Sequence, residues 1–207
     1  MDAEEEQDRT EDSHWRRRSV PDNEAPVSVA FDAILARNED AAVFLSGLRV
    51  YRNGVRFTVE ARTRTRLFES GDLHSALHDH GPTAVLLGIE LADGRRCTHH
   101  RREPPDPTGP ALLAQGGGGS SRSADLTMFL SPLPPSGTTK LVCAWPWLGI
   151  GDQVTLLPTD TIVAAAGDVV ELWPWEPEIW RREPAPAAPD VPHDSWFSPA
   201  RRQSPRR

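Results

Sequence analysis

The stretch from Leu48 to Val59 constrains this chain more than any other, because Asn53-Gly54 sits between two runs of alternating apolar residues. Asn-Gly readily takes positive φ at both central positions, as a type I′ hairpin turn requires. A two-residue loop at Asn53-Gly54 pairs Arg52 with Val55, Val50 with Phe57 and Leu48 with Val59. The apolar residues then share one face, and Arg56, Thr58, Glu60, Arg62 and Arg64 alternate on the other. That is the pattern of a half-buried antiparallel sheet.

A second hairpin is expected at Asp93-Gly94, after the alternation of Val85, Leu87, Ile89 and Leu91. The return from Arg95 to His100 is far more polar, as suits a strand at a sheet edge. Further strands are expected at 27–31, through Leu126, Met128 and Leu130, and through Leu141, Cys143 and Trp145. Pro132 and Pro146 end the last two runs.

One helix is expected near the end, capped by Thr159 or Asp160, with Ile162, Ala165, Ala166, Val169, Val170 and Trp173 on one face. Gly167 and Pro174 favour a second reading: a short helix to Ala166, then a strand from Val169 to Trp173. Many short strands with one short C-terminal helix make a mainly β protein, an antiparallel β-sandwich. An immunoglobulin-like topology is one form this class takes.

The apolar residues are not spread evenly along the 207 residues. Residues 1–26 hold nine acids and four arginines with almost nothing to bury, which reads as a disordered acidic tail. Residues 177–207 are rich in proline and end in arginines, and read as a second disordered tail. Residues 27–176 carry the domain, long enough to bury roughly 70% of its unfolded surface. Within it, 101–122 combines Pro104, Pro105, Pro107 and Pro110 with Gly116 to Gly119, the composition of a flexible Pro/Gly-rich loop.

A formal net charge of −7 argues against a general nucleic-acid binder and against docking on an anionic membrane. Lys140 is the only lysine, so positive charge is carried by arginine. The acidic start lacks the character of a secretory signal, and no stretch nears the ~20 apolar residues that span a bilayer. The expected compartment is the cytoplasm, where Cys97 and Cys143 stay reduced and buried.

Phe129 to Pro135, then Leu141 to Pro146 with its C-x-W-P-x-x-G-I continuation to Ile150, and Glu171 to Trp175 resemble a family from high-GC Gram-positive (actinobacterial) bacteria. The resemblance covers about the middle of the chain. No activity is assigned to that family, so it implies one domain and no chemistry.

Two constellations remain. His74, His78 and His80 have a spacing that places two imidazoles on one helical face, with zinc as the fitting ion. In a polar, turn-rich segment the plainer reading is histidines facing water. The doubled Trp-Pro-Trp places Trp145 and Trp173 just inside element ends, where tryptophan usually fills core. Trp147 and Trp175 follow the prolines and are the candidates for exposed binding. Trp180 and Trp196 lie beside arginine or Phe197 in the C-terminal tail, as anchors of a segment that folds on binding. No nucleophile elbow or phosphate-binding loop is present. The function read from this is a non-enzymatic protein-interaction module without a cofactor, its partner another protein and its oligomeric state open. Two alternatives stand beside it: a metal-dependent enzyme on the histidine loop, and a carbohydrate or peptide binder using Trp147 and Trp175.

Overall fold

The computed structural model describes residues 18–67, 73–78, 81–99 and 109–175. The expectations for His80, for Trp180 and Trp196, and for most of both tails lie outside these residues. In chain order the strands are β1 (Glu24–Ala25), β2 (Val27–Val29), β3 (Ala33–Arg37), β4 (Ala41–Tyr51) and β5 (Gly54–Thr63). A short helix α1 (His74–His78) leads to β6 (Leu86–Glu90) and β7 (Arg96–Thr98). Then come β8 (Ala111–Gly119), β9 (Ser123–Ser131), β10 (Thr139–Trp145) and β11 (Ile150–Leu157). Helix α2 (Thr159–Ala166) and β12 (Val170–Glu171) complete the chain order.

The first hairpin forms, with a register different from the expected one. Tyr51 pairs with Gly54 and Val50 with Val55, so the loop is Arg52-Asn53 and Gly54 belongs to β5. Neither Arg52 nor Asn53 has positive φ, so the turn is not type I′. Glycine is required at 54 for another reason. A Cβ there would collide with the Leu130 carbonyl oxygen and stand 2.7 Å from Phe129 Cζ. The faces survive the slip because the register moves by two near the turn. Farther along β4, the buried set changes from Leu48 and Val50 to Ala41, Val43 and Leu45. A bulge between Ser46 and Arg49 makes that change, with Gly47 at φ +69°. The extra residue keeps both apolar sets on the core side.

The Asp93-Gly94 hairpin also forms, and its return strand β7 lies at a sheet edge as expected. Gly94 has φ +82°, and its amide donates to the Leu91 carbonyl at 2.9 Å.

Two antiparallel sheets face one another. One has the order β4-β5-β9-β8, with β2 and β3 both on the outer edge of β4; the other has the order β11-β10-β6-β7. Lettering β4 to β11 as A, B, C, C′, D, E, F, G gives ABED opposite GFCC′, an immunoglobulin-like strand order. Val43, Leu45, Phe57, Val59, Leu126 and Met128 of the first sheet share one core with Leu87, Ile89, Leu141, Cys143 and Trp145 of the second. β3 runs beside β10 and β11, and β7 beside β8, along the two sides of the sandwich. Cys97 and Cys143 both point inward, on β7 and β10, with β6 between them, so no disulfide joins them.

Three expectations are corrected here. The glycine run expected as a flexible loop within 101–122 is strand β8, where Gly116 to Gly119 pair with Thr127 to Ala124. A Cβ at Gly119 would meet His74 Cβ at 2.7 Å, and one at Gly117 would meet His78 Nε2 at 2.8 Å. The glycines therefore let α1 lie directly on the strand, which puts Leu73, Ala76 and Leu77 in the core. Residues before 27, expected as part of a tail, belong to the fold: Asn23 is buried, and β1 pairs with β12. Lastly, α2 has no side-chain cap and ends at Ala166; the chain then extends into β12, the second of the two readings.

Candidate interaction surface

The candidate surface is the outer face of the GFCC′ sheet and its edge strand β11, which pairs only with β10. Alternation on β10 and β6 turns Leu141, Cys143, Leu87 and Ile89 inward, so Val142, Lys140, Leu86, Gly88 and Glu90 face out. Register aligns these into rows across the sheet. One row is Val154, Val142, Gly88, Thr98, and the next is Leu156, Lys140, Glu90, Arg96. In the second row Lys140 Nζ donates to Glu90 Oε1 at 2.7 Å and Arg96 pairs with the other oxygen of the same carboxylate. These hydrogen bonds, Lys140 first and Arg96 second, hold the Glu90 carboxyl below its ordinary value.

Beside this ion ladder the edge strand is apolar. Val154 is 58% exposed and Leu156 59%, with Leu86 at 40% two strands away. β11 pairs only with β10, with β3 running beside it, and outside that pairing its Leu157 carbonyl accepts from Thr159 Oγ1 at 3.3 Å. Native sheets usually blunt such an edge with lysine, proline or inward charge. From 150 to 157, β11 has Asp152 as its one charge and no proline. The opposite edge of the same sheet is blunted, since Arg96 on β7 is tied to Glu90.

The sequence-derived candidates fall elsewhere or nearby. Trp147 lies in the single 3₁₀ turn Pro146–Leu148 that joins β10 to β11, and is 42% exposed, as expected. Trp145 is fully buried and its indole N–H donates to the Thr83 carbonyl at 2.9 Å. Trp173, expected in the core, is 56% exposed instead; the helix that would have turned it inward ends seven residues earlier. Trp175 is half-buried beyond β12, on a different element from Trp147.

His74 and His78 do come together, but face to face. Their ring centroids are 3.6 Å apart with planes 21° from parallel. Stacked rings hold their nitrogen lone pairs in near-parallel planes, whereas a zinc ion needs them to converge. His78 Nε2 donates to the Asp125 carbonyl oxygen at 3.3 Å, and the buried His74 Nδ1 has no hydrogen-bond partner among the described residues. No group of three His, Cys, Asp or Glu side chains suited to a metal occurs among the described residues. Burial pushes the Cys143 thiol up to about 12, so it is not a ready nucleophile. Among the described residues no helix is long and apolar enough to cross a membrane.

No family model matches the chain, and no curated protein or solved structure is significantly similar to it. Sequence reasoning missed Val154 and Leu156, since Ile150–Leu157 was not read as a strand. The signal was present in Gln153-Val154-Thr155-Leu156, which alternates with period two. What no alternation states is which face looks out.

Proposed function

We propose that this protein is a non-enzymatic interaction module that takes an extended segment of another protein as an added strand on β11. The observation that carries the reading is the unpaired edge of β11 with Val154 and Leu156 exposed beside it. Backbone hydrogen bonds along such an edge supply affinity, and side chains on alternate positions supply specificity. The Lys140–Glu90–Arg96 ladder next to Leu156 offers a polar border to that apolar stripe. The actinobacterial family resemblance is kept as part of this proposal and adds no activity to it.

The test compares partner capture by the intact chain and by a Val154→Lys/Leu156→Lys double variant. Surface changes of this kind alter stability by about 0.5 kcal/mol or less, so the variant stays folded. Capture by the wild-type chain and its loss from the variant supports strand addition. Lys140, the only lysine, gives a second readout, because a bound partner would slow its acylation. Equal capture by both chains, or acylation unchanged by the captured partner, sinks the reading.

A further inference from the structure

The outer face of the ABED sheet carries charge of both signs in separate rows, because register aligns residues across its strands. One row runs Ser28, Arg49, Arg56, Phe129. Arg49 and Arg56 are exposed and directly opposite, and like charges so placed destabilise the pair. Among the described residues no carboxylate pairs with either, whereas Arg52 has Glu171 at 3.0 Å and Arg62 has Glu60 at 2.6 Å. Four residues along β5 a second row runs Ile34, Phe44, Glu60, Asp125, Gly118. Here two carboxylates stand directly opposite. Glu60 accepts from Arg62 and from Ser46 Oγ at 3.2 Å, while Asp125 has no ion-pair partner among the described residues. The Phe44 ring already meets a cation, since the Arg62 guanidinium lies 5.4 Å from its centroid.

Halfway between these rows lies a row of small residues, Ser46, Thr58, Thr127 and Gly116. Their side chains are short enough for a second sheet to approach to the usual face-to-face spacing of about 10 Å. A two-fold axis laid along this small row reverses the strand direction and leaves every residue over its own strand. Arg56 and Glu60 lie two residues to either side of Thr58, each about 7 Å from such an axis. The rotation therefore sets Arg56 of each copy over Glu60 of the other. Arg49 falls over the Phe44 ring by the same operation, because β4 carries both. The face is thus self-complementary, as a two-fold interface requires. A carboxylate held by two cations already occurs in this fold, at Glu90 between Lys140 and Arg96.

We propose that a second copy of this chain packs face to face on the outer ABED sheet, about a two-fold axis over Thr58 that sets each Arg56 against Glu60 of the other copy. The pairing supplies the counter-charge that the arginine row lacks within one chain. It uses the sheet opposite the GFCC′ surface, so it stands or falls independently of strand addition on β11.

The experiment is sedimentation equilibrium of the full chain at concentrations up to about 1 mM, the weak end of specific association. The wild type is expected to form dimers as concentration rises. Arg56→Glu alone and Glu60→Arg alone should each weaken the dimer by about tenfold or more, because symmetry makes every like-charge contact occur twice. An equimolar mixture of the two variants should regain it, since the native pair and the reversed pair then each form once. Thr58→Lys places two like charges on the axis and should abolish the dimer with both charged rows intact. It decides the matter alone if a charge variant loses its folded far-UV signal. A wild type that stays monomeric throughout overturns the proposal, as does a mixture of folded charge variants that stays monomeric, or a dimer indifferent to Thr58→Lys. A dimer lost in Val154→Lys/Leu156→Lys and kept in these variants runs through β11 and overturns it as well.

Discussion

A methyl group at residue 54 has nowhere to go, because β9 passes close beneath it with the Leu130 carbonyl oxygen and the Phe129 ring. Gly54→Ala is therefore expected to destabilise the fold by about 1–3 kcal/mol, read as a lower urea midpoint with unchanged m-value. The requirement is steric, whereas Asn53-Gly54 suggested a need for positive φ. Cys143 makes a pH prediction at the same scale. Its thiol titrates near 8.5 when the chain is unfolded and at about 12 when folded. Between those values the unfolded chain has lost the proton and the folded one keeps it, so stability falls as pH rises. The slope for one such group is about 1.4 kcal/mol per pH unit. Urea denaturation from neutral pH to the alkaline end should show this loss in the wild type. It should show a shallower loss in Cys143→Ala, whose stability is lower throughout because of the cavity left. Parallel curves for the two proteins would show that Cys143 does not couple to folding.

Helix α1 and the glycine strand β8 act as one element. Five helical residues are too few to be stable alone, and α1 holds because it docks on the glycine end of β8, where no side chain intervenes. Gly119→Ala should push against the backbone of His74 and cost about 1–3 kcal/mol, while exposing Leu73 and Leu77 to hydrogen exchange. Gly118 provides the comparison, since a Cβ there meets only Asp125 Oδ1 at 3.8 Å. Gly118→Ala is expected to be neutral or to stabilise by about 0.4–1 kcal/mol through the unfolded chain. If both substitutions behave alike, α1 is not seated on the glycines. The same seating explains why His74-x-x-x-His78 looked like a metal motif. The four-residue spacing does bring the rings together, but the strand below presses them into a stack. β11 shows the complementary case, a strand whose outward residues are the apolar ones. Lysines at 154 and 156 are therefore expected to change binding and leave the thermal midpoint nearly unmoved.

Across the whole molecule, hairpins alternate between the two sheets: β4–β5, β6–β7, β8–β9, β10–β11. This places strands from distant parts of the chain side by side, as when β5 pairs with β9 and β6 with β10. The arrangement leaves one face basic at Arg49 and Arg56 and the other apolar at Val154 and Leu156. The sequence by itself determined the class of the fold. Alternation at Leu126, Met128 and Leu130, and at Leu141, Cys143 and Trp145, marks strands because side chains on a strand have a period of two. It also determined the edge position of Arg96 and the burial of both cysteines, since charge avoids the core and small thiols enter it. Only the tertiary structure decided the register at Asn53-Gly54, because a shift of two residues leaves every face unchanged and a local pattern cannot see it. It also turned Gly116 to Gly119 from an expected loop into a strand, because glycine shows no alternation and its reason lies in a helix some forty residues earlier. The exposure of Val154 and Leu156, and the meeting of Arg49 with Arg56, were decided there too. Which residues oppose one another across a sheet depends on the partner strand, and no single segment carries that information.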